Sequence, residues 1–371
     1  MVRPPMHTPR LLLSLFLACF LAPVARADEE FVYVSCRGER RIEAYAIGSD
    51  GKLKPLAQTP LPGAPAPLAL SPDRKRIYAA TQRRENKEKI VEIVTLRRGP
   101  TGKLVIEAAA KISQRPAYLR VSPKGEFLLA AHYGGGFTTV FSVLKGAATG
   151  TPTDRAHTRA TAHCAEFDPS GRFVFIPHTK PNRIYQYRFN PKRGELVPLT
   201  PPSVAGPEAE RRSQPRHLRF HPTLALAYTS NERGGGISSW SLSKEGTLTL
   251  VQTLSTLPKD FRGESAAAEI RITPNGRFAY VSNRDKTKSQ DGADTIACFA
   301  IDALGKLSAI GHAPAPRYPR SFNLAGEGRL LYAAGQRDSR LVSYRIGDDG
   351  RLSELERRSV GKTPSWVLVT R

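Results

Sequence analysis

The sequence contains few of the residues and motifs that build metal centres, disulfide frameworks and covalent active sites. Only four of its 371 residues are cysteine, widely spaced and without a C-x-x-C pair, which argues against a disulfide framework and a cysteine zinc site. No G-x-S-x-G segment is present, so a nucleophilic-serine hydrolase is not indicated. The histidines show no common spacing that would make them metal ligands. We therefore expect no metal and no cofactor.

Negative charge is also scarce. The chain has 33 acidic residues against 56 lysines and arginines, a formal net charge of +23. Such an excess is typical of proteins with anionic partners. No helix-turn-helix, zinc-finger or aromatic RNA-binding signature accompanies it, so we expect no nucleic-acid partner. A small anionic substrate or an anionic cell-envelope polymer is the favoured interpretation.

Long hydrophobic runs are absent except near the amino terminus. Arg3 and Arg10 precede an apolar run at 11–24, which an A-R-A segment follows. This order is typical of an export signal, and the run is short for a membrane span of about 20 residues. We predict a signal peptide at 1–27 and a mature domain at 28–371. We therefore expect a periplasmic or secreted protein without stable membrane insertion.

A repeat of about 50 residues fills the rest of the chain. Each copy reads as a strand, a turn containing proline or glycine, a second strand, a third strand, and a G-x-L segment that opens a fourth. The turns contain Pro72, Pro123, Pro169, Pro222, Pro274 and Gly326, spaced 46 to 53 residues apart. Serial four-stranded units predict an all-β propeller, and the count predicts seven blades. The first copy lacks its first strand, so we expect the carboxyl-terminal strand around 366–369 to pair with the first blade and close the ring.

Equivalent positions in the seven copies can be compared directly. The position six residues before each turn residue, here called the first-strand position, carries Ala66, Ala117, His163, Arg216, Ala268, Arg320 and Ser365. The position ten residues after each turn residue, here called the second-strand position, carries Arg37, Gln82, Tyr133, Thr179, Glu232, Arg284 and Gln336. Small residues suit a crowded channel axis, so large polar side chains there predict an opening that meets a ligand. We expect Arg216 and Glu232 to be cross-strand neighbours.

Seven of these residues should converge on one mouth of the central channel: His163, Arg216, Glu232, Arg284, Arg320, Gln336 and Arg37. Several arginines around one carboxylate should lower the pKa of Glu232 and favour an anionic ligand. His163 is expected to titrate near neutrality. His217, one residue beyond the first-strand position, is expected to be a packing residue.

The segments AHCAEFDPSGRFVF, PRHLRFHP, TSNE, ITPNGRFAYVSNR and PRSFNLAGEGRLLYAAGQ resemble the seven-bladed lactonase family over essentially the whole mature chain. That family includes propeller-type 6-phosphogluconolactonases and fungal carboxymuconate cyclases. In the cyclase branch the proposed catalytic set is a histidine, two arginines and a glutamate. The resemblance carries these roles to His163, Arg216, Arg284 and Glu232, and a further family motif falls on Arg320 and Gln336.

The main functional hypothesis is an enzyme that hydrolyses the lactone of a sugar acid, similar to 6-phosphogluconolactonase. Water would attack the carbonyl, with Glu232 or His163 as general base, and Arg216 and Arg284 would bind the substrate anion and the developing oxyanion. Arg320, Gln336 and Arg37 would bind the substrate. Two alternatives stay open: a muconate-type lactone cyclase, and an exported non-catalytic propeller that binds an anionic polymer or a protein.

Overall fold

The computed structural model describes residues 1–2, 30–207, 213–287 and 294–370. The predicted signal peptide at 1–27 lies, apart from its first two residues, outside the described residues. Across the described ranges, no helix has the length and apolar character required to cross a membrane.

The described chain forms seven four-stranded antiparallel sheets arranged as the blades of a propeller. Blade one contains β1 (Phe31–Cys36), β2 (Arg41–Ile47), β3 (Leu53–Pro60) and, innermost, β28 (Pro364–Thr370). Blade two contains β4 (Ala64–Leu70), β5 (Arg76–Glu85), β6 (Glu88–Arg98) and β7 (Leu104–Lys111). Blade three contains β8 (Tyr118–Val121), β9 (Phe127–His132), β10 (Phe137–Leu144) and β11 (Ala147–His157). Blade four contains β12 (Glu166–Phe167), β13 (Phe173–His178), β14 (Arg183–Asn190) and β15 (Glu195–Ala205).

The last three blades follow the same order. Blade five contains β16 (Pro215–Phe220), β17 (Leu226–Asn231), β18 (Gly236–Leu242) and β19 (Leu248–Ser255). Blade six contains β20 (Ser265–Ile272), β21 (Phe278–Asp285), β22 (Thr295–Ile301) and β23 (Leu307–Pro314). Blade seven contains β24 (Pro319–Ala325), β25 (Leu330–Gly335), β26 (Arg340–Ile346) and β27 (Leu352–Ser359). Two short 3-10 turns, Arg37–Glu39 and Gly326–Gly328, complete the described elements.

The seven-blade prediction and its ring closure are confirmed. Strand β28 pairs antiparallel with β1, Phe31 lying opposite Thr370 and Val34 opposite Val367. Every residue of β1 is buried, because it lies between β28 and β2 within the blade and under the neighbouring blades. The outermost strand β3 instead exposes most of its side chains, because one of its edges faces solvent.

The blades are joined by a recurring hydrogen bond that follows from the repeat. A tyrosine in the second strand donates its hydroxyl to a glycine carbonyl in the turn before the fourth strand of the next blade. The pairs are Tyr33–Gly102, Tyr78–Gly146, Tyr228–Gly305, Tyr280–Gly350 and Tyr332–Gly51, at 2.7 to 2.9 Å. These glycines have positive φ, a conformation that other residues adopt only with strain. In four of these five pairs, all but Tyr78–Gly146, the acceptor is the glycine of the G-x-L segment.

A β-bulge interrupts the pairing of the first two strands in five blades, and the bulge includes the first-strand position each time. The bulged segments contain Ala66, Arg216, Ala268, Arg320 and Ser365. A bulge sets two residues against one on the partner strand and re-aims the side chain of the extra residue. This is the physical reason why the first-strand position points at the channel axis.

The bulge also corrects one expectation. Arg216 and Glu232 are not opposite one another, because Pro215 pairs with Asn231 and His217 with Ser230. The backbone N–H of Glu232 donates to the carbonyl of Gln214 instead, at 2.8 Å. The predicted register is therefore wrong at this end of the hairpin.

Candidate active site at the channel mouth

A cavity of about 470 Å³ opens at one mouth of the central channel, and all seven predicted site residues line it. The bulge residues Arg216 and Arg320 lie on β16 and β24, and Arg284 lies on β21. Glu232 and Gln336 directly follow β17 and β25. Arg37 lies in the turn after β1, and His163 lies in the segment before β12. All seven blades contribute to the wall, since Ala66 of blade two and Tyr133 of blade three also line it.

Glu232 lies between two buried guanidinium groups. Arg284 Nη2 donates to Glu232 Oε1 at 2.6 Å, and Arg216 Nε lies 3.6 Å from the same oxygen. The arginine side chains are 1% and 2% exposed, whereas that of Glu232 is 22% exposed and so still reaches the cavity. Burial acts to raise the pKa of Glu232, but Arg216 and Arg284 outweigh it and hold the pKa below its usual 4.5. The prediction of an ionised carboxylate is confirmed.

His163 is buried beside this ion pair. Its ring lies 5.4 Å from that of Tyr133, edge to face, and 5.1 Å from that of His217. Burial, followed by the charges of Arg216 and Arg320, lowers the pKa of His163 well below 6.5. The expectation that His163 titrates near neutrality is therefore wrong: its imidazole is neutral at pH 7. Its buried Nδ1 has no hydrogen-bond partner among the residues that the structure describes.

Positive charge dominates the cavity beyond the predicted set. Among the described residues, one carboxylate, that of Glu232, lines the wall together with six cationic side chains: Arg37, Arg115, Arg216, Arg284, Lys286 and Arg320. Burial lowers the pKa of Arg37 and that of Arg115, and burial together with Arg284 lowers the pKa of Arg320 to about 10. All three nevertheless stay protonated at neutral pH. A ligand carrying negative charge would reduce this repulsion.

The sequence comparison missed Arg115, Lys286 and Tyr318, which also line the cavity. Arg115 and Tyr318 stand eight residues before their turn residues, and Lys286 stands twelve after its own. Extending the comparison by two positions outward on each strand would have found all three.

Tyr318 has an unusual backbone conformation for a bulky residue. Its φ is 59°, in the left-handed region. The guanidinium of Arg337 stacks 4.0 Å from its ring centroid, and that of Arg284 lies at 5.2 Å. Strained backbone of this kind persists where surrounding contacts hold it, and it concentrates at functional sites. Tyr318 thus forms a fixed aromatic wall next to Arg284.

A layer of side chains closes the channel beneath the mouth. His217 was expected only to pack, and it does pack against the rings of Tyr118 at 5.3 Å and Trp366 at 6.3 Å. It also makes two polar contacts, to Arg216 and to Glu269. Trp366 borders the mouth cavity on one side and a second cavity on the other.

The second cavity, of about 860 Å³, lies at the opposite end of the channel, where the turn prolines gather. Most of its charged groups are paired: Arg219 bridges Glu166 of the wall and the fully buried Glu269 behind the wall at 2.9 Å each, and Arg120 contacts Glu166 at 2.7 Å. Burial raises the pKa of Glu269 to about 7, although Arg219 and Arg216 act to lower it. The larger cavity therefore offers paired charges, whereas the mouth offers unneutralised ones.

No group of three or more histidine, cysteine, aspartate or glutamate side chains is placed to hold a metal ion within the described ranges. Cys36, Cys164 and Cys298 are buried free thiols. Burial raises the pKa of Cys164 to about 12, so it is a protonated core residue and not a nucleophile.

Fold and site together define a seven-bladed propeller with a mouth on its channel axis that is lined by cationic side chains. The chain belongs to the lactonase family of seven-bladed β-propellers, whose family model matches residues 21–86 and 48–369. It is similar to the 6-phosphogluconolactonase of Serratia proteamaculans, with 30% identity over 344 residues, 92% of this chain and 99% of that relative. It is also similar to the 6-phosphogluconolactonase of Pectobacterium carotovorum, with 30% identity over 349 residues, 92% of this chain and 98% of that relative.

A solved structure supports the fold independently. The structure of the periplasmic gluconolactonase of Pseudomonas aeruginosa aligns with a TM-score of 0.81 at 23% identity, covering 92% of this chain and 99% of that one.

Proposed function

We propose that the protein hydrolyses the lactone of an anionic sugar acid at the arginine-lined mouth, with Glu232 as general base. The observation that carries this proposal is one ionised carboxylate, in contact with two buried arginines, inside a cavity that holds six cationic side chains. The family is one of lactone-hydrolysing enzymes, and the relatives named 6-phosphogluconolactonase align over almost their whole length.

Substrate binding is assigned to the outer cations and the aromatic wall. Arg37, Arg115, Lys286 and Arg320 would attract and hold a carboxylate or phosphate group of the sugar acid. Gln336 would donate to a sugar hydroxyl. An anion bound here would also offset the positive charge that lowers the pKa of Glu232, so substrate binding would make this carboxylate a better base.

The chemistry requires no covalent intermediate. Glu232 takes a proton from water as the water oxygen attacks the lactone carbonyl carbon. Arg216 and Arg284 stabilise the oxyanion of the tetrahedral intermediate. The bond between the carbonyl carbon and the ring oxygen then breaks, and protonated Glu232 returns its proton to that oxygen. The ring-opened hydroxy acid ionises in solution, which releases one proton per turnover.

His163 has a separate part in this scheme. Because its pKa lies well below 6.5, it enters the reaction as a neutral imidazole and not as an acid. A neutral imidazole can accept a hydrogen bond from the attacking water or from the substrate. We assign it to orienting the water, with Glu232 as the group that takes the proton.

The decisive experiment is an assay of the purified mature chain on a panel of aldonolactones with and without a phosphate group. Proton release at fixed pH reports opening of the ring directly. Saturable turnover of at least one aldonolactone, lost in Arg284→Ala and kept in the exposed control Arg351→Ala, is the expected result. No turnover of any member of the panel would defeat the proposal.

Export is the second part of the proposal. The charged and apolar order of residues 1–27 supports a cleaved signal, and a structurally similar protein is a periplasmic gluconolactonase. Fractionation of cells that express the full chain, with mass analysis of the mature amino terminus, should find the protein outside the cytoplasm and shortened near residue 28. A full-length chain in the cytoplasmic fraction would contradict this.

A further inference from the structure

Arg216 owes its orientation to the residue that follows it. His217 Nε2 lies 3.1 Å from Arg216 Nη1, and a guanidinium nitrogen can only donate. His217 Nε2 is therefore the acceptor, and its proton must reside on Nδ1. Burial and the charge of Arg216 lower the pKa of His217 well below 6.5, which agrees with a neutral ring.

The Nδ1–H of His217 has a fixed partner. It donates to Glu269 Oε1 at 3.1 Å, and the same oxygen accepts from Arg219 Nη2 at 2.9 Å. Arg271 Nη1 lies 3.2 Å away, and the side chain of Glu269 is 0% exposed. Glu269 is thus held by groups outside the mouth, and it selects both the tautomer and the ring plane of His217.

Packing restricts the ring further. The ring of His217 packs edge to face with that of Tyr118, and tilted against those of Trp366 and His163, whose centroid lies 5.1 Å from its own. The side chains of consecutive residues in a regular strand point to opposite faces of the sheet. In a regular strand the side chains of Arg216 and His217 could therefore not contact each other. The bulge between Pro215 and His217 removes this restriction.

We propose that His217, held by Glu269, is a positioning residue that fixes the guanidinium of Arg216 in the orientation needed to stabilise the oxyanion. Within the described part of the chain Arg216 Nε has no hydrogen-bond partner, and Nη1 bonds His217, so the contact with His217 leaves Nε aimed toward Glu232 and the substrate. The inference rests on the proposed lactone hydrolysis and adds to it a chain of contacts that runs from the mouth into the closed layer of the channel.

His217→Phe tests this inference because it keeps an aromatic ring between Tyr118 and Trp366 but removes both polar contacts. We expect kcat to fall about 10- to 100-fold, the range found when a residue that orients an active-site group is lost. KM should change less than about threefold, because the outer cations that bind the substrate are untouched. His221→Phe, the same substitution at a buried histidine at the other end of β16, is the matched control and should keep wild-type kcat.

Two conservative variants separate positioning from packing. The carbonyl of His217→Gln can occupy the Nε2 position and accept from Arg216, whereas the amide of His217→Asn reaches only toward Glu269. We expect the kcat of His217→Gln to be at least threefold higher than that of His217→Phe. The kcat of His217→Asn should equal that of His217→Phe. Equal activity of the Gln and Asn variants would overturn the inference, as would wild-type kcat in His217→Phe.

A double-mutant comparison identifies the route of the effect. If His217 acts through Arg216, adding His217→Phe to Arg216→Lys should leave kcat/KM of the Lys variant unchanged within about twofold. Multiplicative losses would show an independent structural role and overturn the inference.

Crystal structures of the wild-type enzyme and of His217→Phe test the positioning role of His217 without an activity assay. The guanidinium of Arg216 should be rotated or lack defined density in the variant, and an unmoved Arg216 would overturn the inference. Absence of lactone hydrolysis by the wild-type enzyme would defeat only the proposed function, because the crystallographic result does not depend on it.

Discussion

Replacing Glu232 by glutamine tests the general base with almost no change in shape. The amide oxygen can still accept from Arg284, so the side chain should stay in place. The amide cannot take a proton from water, and we expect kcat to fall about 10²-fold or more. KM for an anionic lactone should be unchanged or lower, because the variant removes a negative charge that lies among six cationic side chains. Rising KM with normal kcat would assign Glu232 to binding and refute the reasoning.

The same variant has a calculable effect on stability. Arg284 is 2% exposed and would exchange an ionic hydrogen bond for a neutral one. Hydrogen bonds to charged groups contribute about 1.5–3 kcal/mol. The partial exposure of Glu232 places the expected loss in unfolding free energy near the lower end, about 1–2 kcal/mol. Thermal melting should show a decrease of roughly 1–3 °C for a chain of this size.

The loss should depend on pH in a definite direction. The folded protein holds the pKa of Glu232 below 4.5, so its contribution is fully present above pH 4.5 and disappears as the pH falls through the folded value. The melting curves of wild type and Glu232→Gln should therefore converge in acid. Glu107→Gln is the matched control, because Glu107 also contacts two arginines, Arg76 and Arg97, but on strands β5 to β7 of blade two and not in the mouth cavity. It should lose stability without losing kcat.

Four further outcomes are expected. Arg320→Ala should raise KM about 10- to 100-fold in steady-state assays, since it removes a charged contact with the substrate; an unchanged KM would remove it from binding. The pKa of His163 is lowered well below 6.5, so His163 should not contribute a limb between pH 6 and 7.5 to the pH profile of wild-type kcat/KM. A limb in that range that disappears in His163→Gln would contradict the assignment of a neutral imidazole. Tyr332→Phe should lower the unfolding free energy by about 1 kcal/mol in urea, because the bond to Gly51 is lost, and an unaltered midpoint would refute that contact's contribution. Deleting 364–371 should give insoluble protein by exposing the edge of β1, and a soluble product with wild-type melting would contradict the ring closure.

The blade count could be predicted from sequence because each copy of the repeat faces the same physical problem. Every blade must bury one sheet against its neighbours, so turn residues, apolar alternation and the tyrosine–glycine contact recur at fixed spacing. Departures from the common residue type then stand out. Arg216 and Arg320 occupy a position where Ala66, Ala117 and Ala268 show what packing alone selects.

Other features could not be predicted because they depend on distances that the repeat does not encode. The bulge that displaces Arg216 from Glu232 is a local change of register, and no single residue type marks it. The low pKa of His163 results from burial beside arginines of other blades. The role of His217 emerges only when Glu269, 52 residues away, is seen at its Nδ1.

The order of strands in blade one has a consequence for when the molecule can finish folding. Strands β1, β2 and β3 are the first to be synthesised, but the strand that completes them, β28, is the last. Throughout synthesis β1 has an unpaired edge, and the first and last blades remain separate. The nascent chain can therefore form an open series of blades, and the ring can close only after β28 has been synthesised and has paired with β1.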